Sequence, residues 1–253
     1  MAALTLSNLS LGYDRHPAVQ RLSGVFAPAS LTAVVGPNGS GKSTLLKALA
    51  GHSKPLAGAI DRGGVRPAEI AYLPQAHGLD LKFPLSLGDL VGFGLMGRRG
   101  LFSGFRAEDR RRISDLMAEV GLEGLERRPI GSVSGGQLQR ALFARVMAQD
   151  AKLVLLDEPF NGIDARAAED LAQVMAHWPQ QGRTVIAVLH DLDVVRRLCP
   201  QTLVLAREAV AWGPTDQAVS SEQLTRARRL AESWTASSDT ATVKPPPRPL
   251  EPA

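Results

Sequence analysis

The sequence predicts an α/β protein, a parallel sheet covered by helices on both faces with an all-helical insertion in mid-chain. Three observations carry that expectation. Apolar runs of strand length alternate with helical stretches, the runs are continuously apolar, and a long central segment has helical periodicity but no convincing strand. Leu31-Thr32-Ala33-Val34-Val35 is a β-branched run that ends in a glycine-rich turn, and Ser43–Ala50 reads as the helix after it. Ile70–Leu73, Leu153–Leu156, Thr184–Leu189 and Thr202–Ala206 are further runs of buried-strand length. Helical stretches, including Ala165–Trp178 and Asp191–Leu198, lie between them. Sheets built this way carry ligand sites at the C-terminal ends of their strands.

The middle of the chain, about residues 76–150, is read as a helical subdomain. Ile113, Leu116, Met117 and Val120 repeat at i, i+3, i+4 and i+7, and Leu138, Ala141, Leu142 and Val146 approximate the same stripe. The expected division is one domain over residues 1–234 and a disordered tail over 235–253. That tail is rich in Ser and Thr, then in Pro, and has no apolar periodicity.

Composition removes several classes of function. The chain has 253 residues, a formal charge of +4 and 44% apolar residues, which is ordinary for a globular protein. A single cysteine, Cys199, excludes an intramolecular disulfide framework and a cysteine-based zinc site. The 29 basic residues include 6 Lys and 23 Arg, but 12 aromatics do not interleave with them as a single-strand groove requires, so no nucleic-acid partner is expected. The first residues lack the charged start and apolar run of a secretory signal, and no apolar run is long enough to cross a bilayer. A cytoplasmic location is expected.

Chemistry enters with Gly36-Pro37-Asn38-Gly39-Ser40-Gly41-Lys42-Ser43, followed by Thr44. This G-x-x-x-x-G-K-[ST] pattern lies between a strand and a helix, the context in which backbone N–H groups close around phosphate oxygens. Lys42 is placed to reach the β- and γ-phosphates, and the Ser43 hydroxyl to bind Mg²⁺. Leu153–Leu156 delivers Asp157 to a strand end, where it can hold Mg²⁺, with Glu158 beside it as a candidate general base. Ser134-Gly135-Gly136-Gln137 opens a helix. A Ser cap explains the first residue, but two glycines cost helix stability unless something must approach that end closely.

The order of these motifs resembles the ATP-binding cassette (ABC) ATPases. The resemblance rests on the phosphate loop, Gln75 after Ala71–Pro74, Val133–Gln137, Asp157-Glu158-Pro159, Asn161-Gly162-Ile163-Asp164 and His190-Asp191, and spans about residues 3–219. It implies a phosphate-loop NTPase core with an N-terminal antiparallel β portion and an inserted helical subdomain. It further implies that Tyr13 stacks on adenine, that Gln75 contacts Mg²⁺ and water, and that His190 holds the γ-phosphate. Ser134, Gly135 and Gly136 would close on the nucleotide of a second copy, and Asp164 would link the two sites. The cofactor would be Mg²⁺ as MgATP. The partners would be a second copy, a multi-span membrane permease and, indirectly, an extracytoplasmic metal-binding protein, with this subunit peripheral on the inner face of the membrane. Two departures, Val133 for the usual Leu and Leu189 for a common Thr, touch no phosphate chemistry.

Among such ATPases, Phe83–Val91, Gly97-Arg98 and Arg128–Gly131 look like the zinc/manganese importer branch. Zinc is expected first and manganese second, with iron–siderophore or haem import as the alternative. A non-transport ABC ATPase is the competitor from another class, but the long heptad insertion of DNA-repair relatives and the second cassette of ribosome-associated ones are missing. A phosphate-loop GTPase is disfavoured because no Asn-Lys-x-Asp string occurs.

Overall fold

The computed structural model describes residues 2–13, 16–75, 80–99 and 104–239. Two sheets organise it. The first is three-stranded and antiparallel, in the order β2-β1-β4, from β1 (Leu4–Tyr13), β2 (His16–Phe26) and β4 (Ala57–Asp61). The second contains β3 (Leu31–Val35), β5 (Ile70–Leu73), β6 (Leu153–Asp157), β7 (Thr184–Val188), β8 (Gln201–Ala206) and β9 (Glu208–Pro214). Its order is β5-β6-β7-β3-β8-β9, parallel except for the antiparallel β8–β9 pair.

The continuous apolarity of the strands has a direct cause. Leu153, Leu155, Ile186, Val188 and Val34 face one core, together with Leu45, Leu46 and Leu49 of helix α1 (Lys42–Leu49) and the inner side of the antiparallel sheet. Val154, Leu156, Val185, Ala187, Ala33 and Val35 face the other, under the remaining helices. With both faces dry, alternation between apolar and polar residues has no role.

Between β5 and β6 lie α2 (Leu87–Arg99), α3 (Ala107–Glu119), a 3-10 turn at Ile130–Ser132 and α4 (Gly135–Gln149). The stripe Ile113, Leu116, Met117 and Val120 is buried, with Val120 capping α3 rather than continuing it. Leu138, Ala141, Leu142 and Val146 are likewise buried on α4. After β6 come α5 (Ala165–His177), α6 (Leu192–Leu198), α7 (Thr215–Ala218) and α8 (Ser221–Asp239). Helix α8 runs through residues 235–239, the first part of the expected tail, and residues 240–253 lie outside the described ones. Thr235, Ala236, Ser237, Ser238 and Asp239 extend a helix already anchored by buried Ala227.

Leu155 is fully buried opposite α1. Leu155→Ala should cost about 2–5 kcal/mol, read as a lower urea midpoint at unchanged slope.

Candidate active site

The phosphate loop runs from the end of β3 into α1. Gly41 precedes the helix with φ +96°, and a β-carbon there would stand 2.5 Å from the Ala18 carbonyl oxygen of β2. Gly39 is also left-handed, at φ +75°, but open space surrounds the position of its missing β-carbon. The loop is closed from inside by Lys42, whose Nζ donates to the carbonyl oxygens of Gly36 and Pro37, each at 2.9 Å. Burial pulls the Lys42 ammonium below the usual lysine range, while Glu158 and Asp157 oppose that pull. Ser40 Oγ is buried with no hydrogen-bond partner.

Opposite the loop, β6 ends in Asp157, which is 1% exposed. Ser43 Oγ donates to Asp157 Oδ1 at 3.1 Å. Burial raises the Asp157 carboxyl above the usual range, and the Ser43 bond works against that rise. These features fit phosphate and Mg²⁺. A buried hydroxyl with no hydrogen-bond partner, in a loop that left-handed Gly39 and Gly41 turn into a helix start, suits a phosphate oxygen. A hydroxyl and a carboxylate oxygen side by side are hard donors of the kind Mg²⁺ takes.

Glu158 follows with φ +53°, a left-handed conformation for a residue with a full side chain. Its N–H donates to Val188 O at 3.2 Å, and its own carbonyl accepts from Asn161 N at 3.2 Å. Gln75 Nε2 donates to Glu158 Oε1 at 2.8 Å, and His190 Nε2 lies 2.7 Å from the same oxygen. Asn161 Nδ2 donates to Oε2 at 3.4 Å. Gln75 follows β5, Glu158 follows β6 and His190 follows β7, so three neighbouring strand ends converge on one carboxylate. A cavity of about 620 Å³, lined by Glu158, Asn161 and His190 among others, opens beside it.

Other sequence-predicted residues stand apart from this cluster. Ser134 and Gln137 form a reciprocal cap on α4: Ser134 Oγ accepts from Gln137 N, and Gln137 Oε1 accepts from Ser134 N. Ser134 and Gly135 are exposed at that helix start. Asp164 caps α5 by accepting from Ala167 N at 3.0 Å, which with other backbone bonds holds its carboxyl below the usual range. Tyr13 ends β1, and its side chain lies outside the described residues. Sequence reasoning gave no role to Asn161 or Gln139. Gln139 is 2% exposed on α4 and donates to the carbonyl oxygen of Pro159 at 3.1 Å. Its signal was a polar residue inside an apolar stripe.

The family profile described as ABC transporter matches residues 19–161, more than half of the chain. The chain belongs to the ABC transporter family. The chain is 36% identical over 239 residues to the manganese transport system ATP-binding protein MntA of Synechocystis, covering 88% of this chain and 91% of that one. The MntB manganese transport ATP-binding protein of Bacillus subtilis is 33% identical, covering 88% and 91%. Among solved structures, an inward-facing metal-chelate type ABC transporter superposes with a TM-score of 0.77 at 30% identity, over 90% of this chain and 88% of that one. The fold is that of an ABC ATPase, and the chain is an ATP-hydrolysing transport subunit. No helix among the described residues of this ABC ATPase is long and apolar enough to cross a membrane.

The two loop glycines separate strain from overlap. Gly39→Ala should cost only the left-handed penalty of about 1–2 kcal/mol and keep nucleotide binding. Gly41→Ala adds backbone overlap with Ala18 and should abolish binding. Fluorescent-nucleotide titration and thermal melting of both variants check this.

Proposed function

We propose that this subunit hydrolyses ATP with Glu158 as general base and drives uptake of a divalent metal, manganese ahead of zinc. The observation that carries the chemistry is the convergence of Gln75 and His190 on Glu158 Oε1 beside the loop of Lys42. In this reading Glu158 takes a proton from water as the water oxygen attacks the γ-phosphorus. The new P–O bond forms while the bond to the β–γ bridging oxygen breaks, and that oxygen leaves on ADP with the bonding pair. Lys42 faces the β- and γ-phosphates, the amides of Gly36–Thr44 cradle them, and His190 orients the γ-phosphate. Tyr13 stacks on the adenine. Ser43, Asp157 and Gln75 would hold Mg²⁺, which supplies neutralisation of phosphate charge.

The site is completed across a homodimer. The exposed start of α4, with Ser134, Gly135 and Gly136, meets nucleotide bound by a second copy, and Asp164 links the two sites. Each dimer sits on a multi-span permease at the inner membrane face, fed by an extracytoplasmic metal-binding protein. Relatives named for manganese transport support manganese as first cargo and zinc as second, reversing the order expected from the sequence.

Glu158→Gln should cut turnover by about 100-fold or more while leaving ATP affinity near the parent value. Lys42→Ala should instead weaken ATP binding by about 10- to 100-fold, because bonds from a charged donor are lost. Steady-state ATPase assays with nucleotide titration distinguish the two, and parent turnover in Glu158→Gln removes Glu158 from the chemistry.

For cargo, a deletion strain should lose entry of radioactive manganese, and restoring Lys42→Ala should not rescue it. Normal manganese and zinc entry with failed siderophore or haem uptake would move the assignment to a metal chelate.

A further inference from the structure

Glu158 occupies a costly conformation. A left-handed residue with a side chain costs about 1–2 kcal/mol and persists only where neighbours over-determine it. Several of those neighbours are visible: Val188 O, Asn161, Gln75 and His190. One further contact comes from α4 and reaches the peptide that follows Glu158. Gln139 Nε2 donates to Pro159 O at 3.1 Å and lies 3.5 Å from Glu158 O. Both neighbours are carbonyl oxygens, which only accept, so the amide can be oriented only with its nitrogen toward them. The other end of that amide, Gln139 Oε1, is buried with no hydrogen-bond partner. A side chain kept 2% exposed with half of its amide unsatisfied is expensive, since an orphaned buried acceptor costs about 1–3 kcal/mol.

A leucine or methionine would fill the same space at no such cost. Packing therefore does not explain the glutamine; its bond to the Glu158–Pro159 segment does. The segment is also pinned further along. A β-carbon on Gly136 would stand 2.8 Å from Gly162 O, so α4 and the turn after Glu158 lie backbone against backbone. Gln139 is one turn farther along the same helix. It fixes the peptide plane from which the Glu158 side chain departs.

We propose that Gln139 is a positioning residue for hydrolysis, acting through Glu158 rather than on nucleotide. The proposal rests on Glu158 being the base. Without the amide, the Pro159 carbonyl loses its side-chain donor, the Glu158 carbonyl keeps only Asn161 N, and the left-handed residue relaxes, turning the carboxylate away from Gln75 and His190. Misplacement of the base lowers turnover without touching the phosphate loop.

The test uses the full chain with Gln139→Met, which keeps volume and removes the amide. Turnover should fall about 10- to 100-fold with KM for ATP and the melting temperature near parent values. Because binding is intact while hydrolysis is slow, an ATP-bound dimer should accumulate on size-exclusion chromatography, as it should for Glu158→Gln. Adding Gln139→Met to Glu158→Gln should prolong that dimer no further. Gln139→Asn, which keeps an amide one methylene short, should recover part of the rate and serves as the reporter if Gln139→Met folds poorly. Parent turnover in both Gln139 variants, a loss confined to KM, or a weakened ATP dimer would each overturn the proposal. If Glu158→Gln itself turns over at the parent rate, the base assignment fails first, and slow turnover in Gln139→Met would then exclude the route through Glu158.

Discussion

The site depends on the register of three parallel strands at Val188. Val188 pairs with Val34 on β3 and with Asp157 on β6, and its carbonyl accepts from Glu158 N. Leu189 N, next along, donates to Val34 O. The phosphate loop leaves β3, the two acids leave β6 and His190 leaves β7, so this register sets their mutual height. A slip of one residue would turn every side chain on β7 to the other face. Apolar cores on both faces do not by themselves forbid that slip. Polar ends do: Thr184 Oγ1 accepts from Ala29 N at one end of β7, and Asp157 accepts from Ser43 at the far end of β6.

Burial then shapes the electrostatics of what the strands deliver. The same desolvation lowers Lys42 and raises Asp157, pushing a cation and an anion toward their neutral forms within one cleft. Each opposes the shift of the other. Among the described residues, no group of three His, Cys, Asp or Glu is placed to hold a metal ion.

Legibility in the sequence followed burial. The strands β3, β5, β6, β7 and β8 were readable because residues dry on both faces must be apolar throughout. The strands β1, β2 and β4 were not separately readable. Their pairing is broken by register shifts near Leu6, Leu9 and Leu11, and Asn8 and Arg21 take positive φ, so no clean alternation survives. The strand β9 is half-exposed and α8 is polar on most sides, which hid both. Among the candidate site residues, the sequence spacing singled out Gln75, Glu158 and His190 one by one. That Gln75 and His190 meet on a single oxygen of Glu158 was not legible, because it depends on side-chain direction at three strand ends.

The left-handed Glu158 explains how two consecutive acids serve one cleft. Successive side chains on a strand point to opposite faces. Continued as a strand, β6 would send Asp157 toward the phosphate loop and Glu158 away from it. A glycine would turn the chain more cheaply but would bring no carboxylate. Glu158 instead accepts the strain, reverses the alternation, and places its oxygen between Gln75 and His190 while Asp157 stays with Ser43. The strained residue is therefore the point at which the fold gives up stability to hold a carboxylate between Gln75 and His190. The hydrogen bonds around it, from Val188 to Gln139, are the means by which the fold keeps it there.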